Sequence, residues 1–65
     1  MKITLNGDTR DVAAKTLADA LDELGYADTV VATAVNENFV PAGARAARAL
    51  ADGDRIEVLA PMQGG

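Results

Sequence analysis

The sequence predicts an α+β domain, a small mixed β-sheet with one main helix packed on one face. That class rests on length and on two kinds of apolar spacing. The chain has 65 residues, enough for one domain near the lower limit for independent folding. Period-two apolar patterns stand at both ends, around Ile3 and around Ile56, as in half-buried strands. Between them Leu17, Ala20, Leu21 and Leu24 fall at i, i+3, i+4 and i+7, one helical stripe.

Met1, Ile3 and Leu5 alternate with Lys2 and Thr4, which predicts a first strand. Asn6-Gly7-Asp8 is a hairpin turn signal. Residues 9–13 return as a second strand with Val12 inward. Thr16 opens the helix, with Asp19 three residues on, an acidic variant of the capping box. Asp19, Asp22 and Glu23 form a solvated face, and Gly25 stops the helix. Residues 30–35 are β-branched and apolar, the pattern of a central strand covered on both faces for part of its length. Asn36-Glu37-Asn38 turns the chain into a short strand, Phe39-Val40, which Pro41 ends. Residues 42–51 are rich in Ala with a weak stripe, so one short helical turn or an irregular crossing is expected, with Leu50 entering the core. Arg45 and Arg48 read as a solvated face, or else as contacts to an acidic partner. Asp52-Gly53-Asp54 is a turn. Its two carboxylates fall short of a cation's oxygen shell. Residues 55–60 alternate, with Ile56 and Val58 inward and Leu59 outward. The first and last strands can then pair in parallel. The domain spans 1–60 and a flexible tail 61–65.

Composition narrows the function. Ten acidic residues against six basic ones give a net charge of −4, which speaks against nucleic acid. The apolar stretches are too short for a membrane span, and no signal peptide is visible, so a cytoplasmic protein is expected. There is no His and no Cys, so the usual general base and thiol nucleophile are missing. An autonomous enzyme is not expected, nor a metal site. A protein of this composition that handles sulfur cannot hold it on a side-chain thiol.

The last residues are Gly64-Gly65. Without Cβ atoms they can enter a narrow channel in conformations closed to other residues, which presents the final carboxylate to a partner. The alternative is a frayed tail. Leu59 is expected either to lie under the 42–51 segment or to stand open as a docking patch beside the tail, and Met62 can serve as an adaptable contact.

Four pieces of the chain, in order and spacing, resemble the ThiS family of sulfur carriers, which has the β-grasp, ubiquitin-like fold. They are Ile3-Thr4-Leu5-Asn6-Gly7, then Ala34-Val35-Asn36-Glu37-Asn38-Phe39-Val40-Pro41, then Leu50-Ala51-Asp52-Gly53-Asp54-Arg55-Ile56-Glu57-Val58, and Met62-Gln63-Gly64-Gly65. The chain departs from the family at Ala42, where a basic residue often follows the proline, and at Ala44, Ala46 and Ala47, where larger residues are common. The related MoaD carriers of molybdopterin synthesis share the fold and the Gly-Gly end but are usually longer.

The resemblance implies a co-substrate rather than an enzyme. An E1-like adenylyltransferase (ThiF-like) would use ATP and magnesium to adenylylate the Gly65 carboxylate, and a persulfide donor would convert it to a thiocarboxylate. A thiazole synthase (ThiG-like) would take that sulfur for thiamin. Gly64, Gln63 and Met62 would thread into the activating enzyme, Leu59 and Phe39 would dock it, and no cofactor would stay on the chain. Sulfur delivery to molybdopterin or cysteine, and conjugation to proteins, remain as alternatives.

Overall fold

The computed structural model describes residues 1–60. The expected tail, 61–65, lies outside the described residues. Five strands form one sheet in the order β2-β1-β5-β3-β4. They are β1 (Lys2–Leu5), β2 (Asp8–Asp11), β3 (Ala32–Val35), β4 (Asn38–Val40) and β5 (Arg55–Leu59). Among the described residues, one helix, α1 (Leu17–Glu23), and a 3-10 helix (Ala42–Ala47) accompany the sheet.

Both hairpins turn through left-handed backbone. Asn6 and Gly7 have φ of 49° and 89°, and Asn36 and Glu37 have 51° and 70°. Two successive positive φ values twist a two-residue loop in the sense the flanking strands need. Asn tolerates this region better than most residues; Glu37 is the unexpected occupant. The second strand is Asp8–Asp11, shorter than the 9–13 expected. Val12 is nevertheless buried. It lies beyond the ladder, held by its N–H to the Met1 carbonyl at 2.9 Å.

Helix α1 begins as its sequence requires. Thr16 is extended, and its hydroxyl accepts the Asp19 N–H at 3.2 Å. The helix ends at Leu24 and Gly25, whose φ is +96°. Leu17, Ala20 and Leu21 are buried against Ile3, Leu5, Val35, Ile56 and Val58 of the sheet. Each fully buried aliphatic side chain contributes about 1.5–3 kcal/mol, so this stripe is the main cohesive contact of a domain this small. Leu50 closes one end of the core as expected.

Three expectations need correction. The third strand starts at Ala32, and Val30 is exposed. That strand is covered on one face: Thr33 and Val35 are buried, whereas Ala32 is exposed. β3 is an interior strand as expected, between β5 and β4, while β5 lies at the middle of the sheet, parallel to β1 and antiparallel to β3. A β-branched, apolar run with little polar interruption suggests a strand covered on both faces, but its outward residues are mainly small alanines, which need no cover. Arg45 is half-buried rather than part of a solvated face. Its Nε donates to Thr33 Oγ1 at 3.0 Å and its Nη2 to the Val31 carbonyl at 2.6 Å. These bonds fasten the 3-10 helix over β3, on the α1 side. Thr33 Oγ1 in turn donates to the Val40 carbonyl at 2.9 Å, so the one buried polar side chain among the described residues is satisfied.

Candidate functional site

Strand β5 carries the chain toward its C-terminal residues, and the surface around its end is the candidate site. Because β5 runs parallel to β1, its end lies beside the Asn6-Gly7 turn. Alternation along β5 sends Ile56 and Val58 into the core and Leu59 to the opposite face, where it is 73% exposed. The 3-10 helix packs on the α1 side, so it does not cover Leu59.

Phe39 is 69% exposed. In the ladder it stands opposite Ala34, and Leu59 stands opposite Ala32. Two large apolar side chains thus flank a strand that presents only methyl groups. The result is a shallow open depression of about 490 Å³, lined among others by Ala32, Ala34, Phe39, Leu59, Glu57 and Asn6. An aromatic and an aliphatic residue exposed together on a sheet face suit a partner's apolar side chains. The structure therefore brings together Leu59 and Phe39. Met62, Gln63, Gly64 and Gly65 lie outside the described residues.

Side-chain amides support the strand that leads there. Asn6 Nδ2 donates to the Val58 carbonyl at 3.1 Å, and Asn6 Oδ1 accepts the Val58 N–H at 2.8 Å. At the other end of β5, Asn36 Oδ1 accepts the Arg55 N–H at 2.9 Å. Asn36 Nδ2 donates to Asp54 Oδ1, also at 2.9 Å. Asp54 Oδ2 accepts the Ala51 N–H at 2.8 Å. These bonds, the backbone one foremost, hold the Asp54 carboxyl below its ordinary value of 3.8. Asp52 accepts the Lys2 N–H at 2.7 Å. Both acids of that turn therefore serve the backbone, and no cluster of metal-ligating side chains occurs among the described residues. Sequence reasoning treated the two asparagines as turn residues alone. Asn at both positions, where Gly would suffice for the turn, was the available sign of a second role.

A five-stranded mixed sheet clasping one helix, with its first and last strands parallel at the centre, is the β-grasp or ubiquitin-like fold. The particular family follows from comparison. A family model described as the ThiS family matches residues 3–65. The chain is 41% identical to the sulfur carrier protein ThiS of Thermus thermophilus, over 97% of this chain and 98% of that one. It is 38% identical to part of a thiazole synthase of Paramagnetospirillum magneticum, over all of this chain but 20% of that protein. Among solved structures, the ThiS thiamine biosynthesis protein of Geobacter metallireducens superposes with a TM-score of 0.81 at 30% identity, covering both chains completely. A solution structure of a thiamine biosynthesis protein from the same organism gives 0.80 at 32% identity, over this whole chain and 88% of the other. The chain belongs to the ThiS family.

Proposed function

We propose that the protein carries sulfur for thiamin biosynthesis as a thiocarboxylate on Gly65. The observation that carries this is the near full-length similarity to a sulfur carrier, with the family match running through Gly65. Composition agrees, since the chain has no Cys on which sulfur could ride.

The chemistry is assigned to partners. A carboxylate is a poor electrophile because its leaving group would be oxide. An E1-like adenylyltransferase supplies ATP and magnesium; the Gly65 carboxylate attacks the α-phosphate and pyrophosphate departs. The terminal sulfur of a persulfide then attacks the acyl carbon and AMP leaves. A thiol cleaves the resulting S–S bond, which frees the thiocarboxylate and leaves a disulfide. A thiazole synthase is the acceptor. The similarity to a segment of a thiazole synthase favours that acceptor over a molybdopterin or cysteine pathway. The open patch of Leu59 and Phe39 docks the activating enzyme, while Met62, Gln63 and Gly64 thread the end of the chain into it.

Incubation with the adenylyltransferase, ATP, magnesium, cysteine and a cysteine desulfurase tests this reading. Intact-mass spectrometry should show oxygen replaced by sulfur, with fragmentation placing the change on Gly65. Removing Gly65 should abolish it, because the carboxylate is then misplaced by up to about 3.6 Å, and even an ångström can cost about a hundredfold in rate. An unchanged mass with an active enzyme set overturns the proposal, and isopeptide bonds to other proteins would make the chain a modifier instead.

A further inference from the structure

The backbone ladder between β1 and β5 is short. Thr4 and Leu5 register with Arg55 and Ile56, and the Asn6 N–H donates to the Ile56 carbonyl at 2.9 Å. There the chain of β1 turns away through Asn6 and Gly7. β5 runs on to Leu59, still paired on its other side with Thr33 and Ala32. On the β1 side, Val58 would be left with a bare N–H and carbonyl. The Asn6 side chain fills that gap, one atom accepting the N–H and the other donating to the carbonyl. A primary amide has the donor and acceptor of a peptide group, so it extends the ladder by one further residue without any backbone there.

We infer that Asn6 is a positioning residue for the C-terminal segment: its amide fixes the direction in which β5 delivers the chain to the activating enzyme. Val58 is followed by Leu59, the docking residue, and then by the segment that ends in Gly65. Two-sided pairing at Val58 holds the end of β5, and with it Leu59, in one fixed relation to the rest of the sheet. With the amide gone, Val58 and Leu59 are held from the β3 side only and must be ordered anew at each encounter. Fixing a backbone residue is entropically costly enough that one residue's ordering lowers a rate about tenfold.

The inference rests on the sulfur-carrier reading, and the experiment separates the two. Asn6→Gly removes the amide and keeps the turn, because Gly adopts positive φ freely. Asn36→Gly is the matched control: it removes a similar amide from the start of β5, at a turn of the same kind, away from the outgoing end. Asn6→Asp keeps the acceptor for the Val58 N–H and sets a carboxylate oxygen against the Val58 carbonyl. Thiocarboxylate formation is measured for each variant with the activating system, alongside amide hydrogen exchange at Val58 and Leu59.

The expected result is a loss of about tenfold in kcat/KM for Asn6→Gly and wild-type turnover for Asn36→Gly at similar thermal stability. Val58 should exchange faster in Asn6→Gly and not in Asn36→Gly, with Asn6→Asp between wild type and Asn6→Gly in exchange. Equal losses in the two Gly variants would reduce Asn6 to a stability role and overturn the inference. So would wild-type conversion by Asn6→Gly, or unchanged exchange at Val58. A wild-type protein that takes no sulfur would overturn the carrier reading, while exchange at Val58 would still judge the amide's hold on β5.

Discussion

The face of the sheet that meets α1 and the face that does not are made by neighbouring residues of the same strands. On β5, Ile56 and Val58 point one way and Arg55, Glu57 and Leu59 the other. On β3, Thr33 and Val35 are buried while Ala32 and Ala34 line the open depression. The covered face holds aliphatic side chains, the helix stripe and one satisfied hydroxyl. The open face holds two large apolar residues over a floor of alanines, with charges around them. Apolar residues on the first face serve cohesion. Leu59 and Phe39 stand in water and add little to the isolated fold, which is why the proposed docking is assigned to them. The two faces should therefore respond differently to substitution.

The largest effect belongs to the covered face. Leu17 is fully buried where α1 meets the sheet. Leu17→Ala removes buried methyl groups and leaves a cavity, a loss of about 2–5 kcal/mol. A small domain with no disulfide has little stability to spare, so denaturant unfolding should show a largely unfolded protein or a sharply lowered midpoint. A near-wild-type midpoint would mean that the helix stripe is not the main cohesive contact.

The open face should give the reverse. Leu59→Asp and Phe39→Asp, singly or together, should change stability by no more than about 0.5 kcal/mol, as exposed substitutions usually do. The same variants should weaken binding to the activating enzyme by about 2 kcal/mol, the loss expected of an apolar anchor. Calorimetric titration against that enzyme and denaturant unfolding together read both numbers. Unchanged affinity in the double variant would remove the patch from the docking argument, and a large loss of stability would erase the distinction between the faces.

Much of this division was legible in the sequence. Alternation in residues 55–60 gave the orientation of Ile56, Val58 and Leu59, and the Leu17–Leu24 spacing gave the helix stripe. Asn-Gly and Asn-Glu marked the hairpins. Side-chain hydrogen bonds between distant elements were not legible, because spacing reports faces and not the geometry of polar groups. Arg45 reads as an exposed cation, yet it binds Thr33 and Val31. Glu23 reads as part of a solvated acidic face, yet its carboxylate accepts the Ala13 and Ala14 N–H groups at 3.0–3.1 Å. The 30–35 run misled for a related reason: alanine counts as apolar in a pattern but needs no partner on an open face.

The smallest effect lies at neither face but at the start of β5, and it is read through pH. Asp54 has its carboxyl pKa lowered in the fold, chiefly by the Ala51 N–H and next by the Asn36 amide, against a smaller opposing effect of burial. A lowered folded-state value means that the ionised group binds the fold more tightly than the protonated one. The stabilisation is thus fully present above the unfolded-state value near 3.8 and is lost as pH falls through the folded-state value. Asp54→Asn should remove this contribution at all pH values. The stability gap between wild type and Asp54→Asn, measured by denaturant unfolding, should be constant near neutrality and narrow on acidification below about pH 5. The effect is modest because the carboxylate is partly solvated and therefore screened. Binding to the activating enzyme at neutral pH should be unaltered, since Asp54 precedes β5 and the proposed docking patch lies at its far end. A gap independent of pH would show that the Asp54 hydrogen bonds stabilise the turn regardless of charge. A loss of docking would instead extend the functional surface along the whole of β5 and blur the separation between its two ends.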